Sequence, residues 1–193
     1  MVLLARLHET LDVLLGLDLA AVPEGDLPGL VTGLVEVGHR VAAAQLDAVG
    51  AFDSGGLAGL GPERTTKRWL EARTRVSAGQ AAGLVSTARA VRDHLPGTRD
   101  ALAAGQISAA HAGGNSGGVR AVGDEHAQAA EPILLRLARV VEPSVVRRAT
   151  AELLAVLDPS AAEPALHRDC QRRCVTLEVA GGRGYLHGVL DLE

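Results

Sequence analysis

The side chains best suited to bind a metal stand near the end of the chain, in the arrangement His167-x-x-Cys170-x-x-x-Cys174. They supply three ligands where a structural zinc site takes four at familiar spacings, so no metal is expected there. Cys174 reads instead as the start of a strand, with Cys170 in the approach to it. The other histidines are scattered at positions 8, 39, 94, 111, 126 and 187, without a close pair. Metal-assisted cleavage of a phosphodiester needs a histidine base and a set of ligands holding one divalent cation at the scissile phosphate. No such set stands out, nor does a nucleophile beside a base or a carboxylate pair. The expectation is therefore no catalytic residue and no cofactor. The glycine-rich run SGGLAGLGP from Ser54 to Pro62 lacks the Lys-Ser/Thr ending and flanking strand of a phosphate-binding loop, so it reads as a flexible connection.

The remaining chemistry lies in the arginines. Eighteen of the nineteen basic residues are Arg, and their distribution is uneven. Residues 1–60 hold eight acids and two bases, whereas 61–111 hold eight bases and four acids, the sign changing near Gly61-Pro62. A basic middle third in a chain of net charge -4 suits a phosphate-facing surface, or else a set of solvated helix faces. The candidate DNA contacts are Lys67, Arg68, Arg73, Arg75, Arg89, Arg92 and Arg99, with His111 either touching a phosphate or partner helix, or serving as a packing or capping residue. Single-stranded nucleic acid is an unsuitable partner, because only Phe52, Trp69 and Tyr185 could stack on bases.

These side chains need rigid supports, and composition says the supports are helices. Ala and Leu make up 62 of 193 residues, which fits close-packed helices and not a β-sandwich. Leu3, Leu4, Leu7, Leu11, Leu14 and Leu15 recur at helical spacing, and so do Leu27, Leu30, Val31, Leu34, Val37 and Val41 after a break at Pro23 to Pro28. Thr65 or Thr66 can cap a short helix through Arg73. A tight connection, Thr74-Arg75-Val76, then leads to Ser77, which forms a capping-box pattern with Gln80. Two helices so joined have the arrangement of a helix-turn-helix. Pro96 stops the second helix, Thr98 is the expected cap of another, Gly105 ends that one, and Ser108 caps the next. GGNSGG at 113–118 should cut this last helix short or fray it, since each Gly costs about 1 kcal/mol relative to Ala. Helices at 125–141 and 143–157 follow. Alternating Val175, Leu177 and Val179, the turn Gly181 to Gly184 and the return from Tyr185 read as a β-hairpin.

The expected fold is thus mainly α: a helical hairpin plus a helix-turn-helix-like multi-helix bundle with a C-terminal β-hairpin. A helical domain spans 1–166, comprising an acidic hairpin at 1–53, a basic region at 62–112 and a helical pair at 120–158. Residues 167–193 form the hairpin, expected to be the truncated start of a further region. Two cysteines, no export signal and no apolar run long enough to span a bilayer place the chain in the cytoplasm, away from membranes.

The string ALAAGQISAAHA at 101–112 resembles the helix-turn-helix stretch of chromosome-partitioning ParB-like DNA binders. The longer run from Thr66 to Ala112 is similar to the N-terminal domain of the actinobacterial 13E12-repeat family, also known as domain of unknown function 222. The likeness lies in a Trp-containing helix, then T-R-V-S, A-R-A, L-P-x-T, A-L-x-x-G-x-I-S and H-A, and it extends more loosely over most of the chain. In longer members this helical domain precedes an HNH endonuclease, so the resemblance implies a DNA-associated role with a downstream nuclease domain as partner. The HNH motif itself is absent from this chain. Two functions follow as expectations. One is a double-stranded DNA-binding or DNA-targeting accessory domain without catalysis of its own; the other is an interaction scaffold or homo-oligomer using the acidic hairpin, whose basic segment merely pairs with it.

Overall fold

The computed structural model describes residues 2–122, 124–157, 174–180 and 183–189. It is mainly helical: α1 (Val2–Leu15), α2 (Leu27–Ser54), α3 (Thr66–Thr74), α4 (Ala78–Asp93), α5 (Pro96–Ala103), α6 (Ala109–Val122), α7 (Asp124–Ala138) and α8 (Pro143–Leu157). A short 3-10 turn at Leu57–Leu60 follows α2, entered through Gly56 in the left-handed conformation (φ 63°), so the glycine-rich connection carries local order. His167, Cys170 and the Gly181-Gly182 turn lie outside the described residues.

The chain divides into two compact units, residues 1–38 and 39–193. In the first, no residue of α1 is buried. The buried positions of α2 begin only at Ala43, within the second unit.

The second unit has a core built largely from small and branched side chains. Leu46 and Val49 of α2, Leu70 of α3, Val85, Ala88 and Val91 of α4, Leu102 of α5 and Val146 of α8 meet in it. Alanines such as Ala81, Ala88 and Ala112 carry no long side chain, which lets helices approach closely and explains how so few aromatic residues suffice. Trp69 packs against this core with its ring centroid 4.6 Å from that of Phe52. It is a packing anchor.

Two local expectations are corrected. The GGNSGG segment is helical, because α6 runs unbroken from Ala109 to Val122. It packs on α4, α5, α7 and α8, and its glycines permit that approach: a Cβ at Gly114 would lie 2.8 Å from Cγ of Arg147. Asn115 and Ser116 are buried and bonded outward, Asn115 Nδ2 donating to Thr98 Oγ1 at 3.3 Å and Ser116 Oγ sharing a 3.1 Å hydrogen bond with Thr87 Oγ1. Tertiary packing thus outweighs the propensity cost. Second, Thr98 is not the cap of α5. The helix starts at Pro96, whose fixed φ suits the first helical position, and the buried Thr98 N–H donates to Glu131 of α7 at 2.6 Å.

Candidate nucleic-acid interface

The α3–α4 unit forms with the boundaries its caps dictate. Thr65 Oγ1 accepts from Arg68 N, and Ser77 and Gln80 make both bonds of the capping box at 3.2 and 2.9 Å. Arg75, between the helices, sits in the left-handed region (φ 58°) that usually favours glycine.

A reading helix meets bases with the first residues of its exposed face. On α4 those residues are Ala78, Gly79, Gln80, Ala82 and Gly83, and the Gln80 carbonyl oxygen already accepts from Ser77 N. The other reading-helix candidate, α6, packs on α4, α5, α7 and α8.

Most of the candidate cations have acidic partners inside the fold. Arg89 makes a bidentate pair with Asp53 of α2, at 2.7 and 2.8 Å. Arg99 does the same with Asp47, at 3.1 and 2.7 Å, and also reaches Asp100. Arg92 binds Asp93 through two 2.7 Å bonds and donates to the Gly50 carbonyl at 2.9 Å. Lys67 and Arg73 stand 3.7 Å from Glu71 and Glu63. Arg68 and Arg75 are exposed and have no partner among the described residues. The structure therefore gathers Arg89, Arg92 and Arg99 along α2 and leaves Arg68 and Arg75 apart from that row.

The pairing shapes the electrostatics. Hydrogen bonds from Arg89 pull the Asp53 carboxyl below its ordinary range; burial opposes this and a 2.8 Å bond from Thr66 adds to it. Reciprocally, Asp53 raises the Arg89 guanidinium and Asp47 raises that of Arg99. Arg92 lowers Asp93 in the same way.

His111 is a helix-capping and bridging residue. Its Nδ1 accepts from Ser108 N at 3.1 Å, which leaves Nε2–H to donate to the Val141 carbonyl at 2.9 Å. The ring ties the start of α6 to the segment between α7 and α8, and both of its nitrogens are engaged.

Sequence reasoning did not single out Asp47, Asp53 or Asn115, and it placed Glu131 on a solvated face, whereas Glu131 is buried and accepts from Thr98 N. The run of acids ahead of the sign change pointed to the first two only collectively. Among the described residues, no group of His, Cys, Asp and Glu could hold a metal ion, and no helix is long and apolar enough to cross a membrane.

Taken together, fold and site define a mainly helical bundle in which Arg89 and Arg99 are cross-braced by aspartates of α2. The chain belongs to the family described as domain of unknown function DUF222, whose profile matches residues 33–191. No curated protein and no solved structure gives a significant match.

Proposed function

We propose that this chain is a non-catalytic helical accessory domain that works by protein–protein contact, with its basic segment serving to brace the fold. The observation that carries this reading is the apolar surface left bare on residues 1–38, from Leu3 and Leu4 to Leu34 and Val37. Exposed apolar area of that extent marks an interaction surface. The pairing of Arg89, Arg92 and Arg99 supports it, since an arginine held by an aspartate must break that pair to grip a phosphate. The resemblance to 13E12-repeat proteins fits a cytoplasmic accessory to an HNH nuclease. In the test, a photo-crosslinking amino acid replaces Val31 in the chain expressed in its native cells. A discrete protein adduct is expected, and its absence would overturn the reading.

A second reading, direct binding of double-stranded DNA through a helix-turn-helix, draws on a different observation. Lys67 and Arg89 border an open groove of about 410 Å³ with Thr65, Thr66 and Ser86, and Arg68 lies nearby in sequence without an acidic partner among the described residues. Fluorescence anisotropy with a labelled duplex at about 50 and 200 mM salt decides between them. The scaffold reading expects no binding at either concentration. Binding that falls steeply with salt establishes the DNA reading instead.

A further inference from the structure

The two halves of α2 differ in composition. From Leu27 to Gly38 the helix holds Gly29, Gly33 and Gly38 and the β-branched Val31, Thr32, Val35 and Val37, so seven of twelve residues are poor helix formers. From His39 to Ser54 it holds five alanines, at 42, 43, 44, 48 and 51. Packing divides the same way. Every residue from Val31 to Gly38 is exposed, and a Cβ at Gly29, Gly33 or Gly38 would meet nothing within 4 Å, so no close approach requires these glycines. The buried positions, Ala43, Leu46, Val49 and Gly50, all lie in the second half. The boundary between the two compact units falls inside the helix, between Gly38 and His39. Just past it, His39 Nδ1–H donates to the Gly105 carbonyl at 3.3 Å, 66 residues along the chain. The side-chain hydrogen bonds of Thr10, Asp18 and Thr32, before the boundary, reach no further than four residues.

A helix frays from its ends, and extending one that already exists needs no new nucleus, so the propagation constant of each residue decides how far it runs. Good helix formers have constants of about 1–1.6. Glycine lies about fivefold lower, well under unity, and β-branched residues lose side-chain freedom on entering a helix. In the second half the core supplies what propensity does not, as at the buried Gly50. Between Val31 and Gly38 no residue is buried to do the same.

We propose that α2 carries a built-in opening point at Gly38: in the free chain residues 27–38 unwind and rewind while 43–54 stay closed, and contact through residues 1–38 completes the helix. The inference rests on the reading of this unit as a docking surface only for that last step. Native-state hydrogen exchange of the full chain is expected to give amides 31–38 protection at least about a hundredfold below that of amides 43–50. Equal protection along the helix would overturn the proposal. The variant Gly29→Ala/Gly33→Ala/Gly38→Ala should raise protection over 31–38 by about a hundredfold, three factors of about five, and leave 43–50 unchanged. A triple variant that exchanges like the parent would count equally against it. In the adduct trapped by the crosslinker at Val31, amides 31–38 should exchange as slowly as 43–50, and continued fast exchange there would overturn the coupling to contact. An adduct together with slow exchange already in the free chain sinks the opening point and leaves the docking surface. Fast exchange with no adduct sinks the docking surface and leaves the opening point.

Discussion

Asp53 illustrates how much a single carboxylate does in this fold. It accepts two bonds from Arg89 and one from the buried Thr66, and its side chain is 10% exposed. Asp53→Ala leaves Thr66 without its acceptor and Arg89 without its anchor. The expected loss is about 2 kcal/mol of unfolding free energy, read by urea denaturation at neutral pH. The pH dependence has a definite sign. Because the folded value of Asp53 lies below its ordinary 3.8, its stabilising contribution is present above that ordinary value and disappears as pH falls through the lower folded one. In Asp53→Asn the acid limb of the stability curve below about pH 4 should be flatter than in the parent. An unchanged limb would mean that the Arg89 pair does not hold in solution. Asp100, by contrast, shares Arg99 with Asp47 in an exposed setting where ion pairs contribute little.

At the scale of the element, α6 tests the balance between propensity and packing. Its glycines are not equivalent. Gly117 has nothing within 4 Å of where a Cβ would stand, while Gly114 faces Arg147 at 2.8 Å. Gly117→Ala should therefore raise stability by about 0.5–1 kcal/mol through the propensity difference alone. Gly114→Ala should gain less or lose stability, because Arg147 would have to shift. Thermal unfolding of the two variants side by side checks the difference; equal gains would show that α8 does not press on α6. The caps of α3 and α4 were legible beforehand because Thr65, Ser77 and Gln80 act on backbone groups three residues away. The start of α5 was not, since Thr98 is satisfied by Glu131, 33 residues further along.

For the whole molecule, the two units differ in what holds them. The unit from His39 onward has a continuous core, whereas residues 1–38 carry an apolar surface with nothing buried in α1. Leu102 is 1% exposed within that core, so Leu102→Ala should cost about 2–5 kcal/mol. In denaturant unfolding the midpoint should fall while far-ultraviolet and near-ultraviolet signals still change together, as expected of one cooperative core. Separated transitions would show that the helices of the second unit do not fold together. The charge pattern also acquires its meaning at this scale. The acids before Gly61 and the bases after it are partly one set of contacts, Asp47 and Asp53 on α2 meeting Arg99 and Arg89 on the helices that follow.

The amino-acid sequence alone determined the helical class, most of the caps and the ends of α3, α4 and α8, because these depend on composition, local spacing and bonds over three or four residues. It also carried the resemblance to the family. Only the tertiary structure decided that GGNSGG is helical, that His111 bridges two segments, and that Arg89 and Arg99 are engaged by aspartates 36 and 52 residues away. Such outcomes turn on which distant side chains arrive beside a residue, and no periodicity along the chain encodes that.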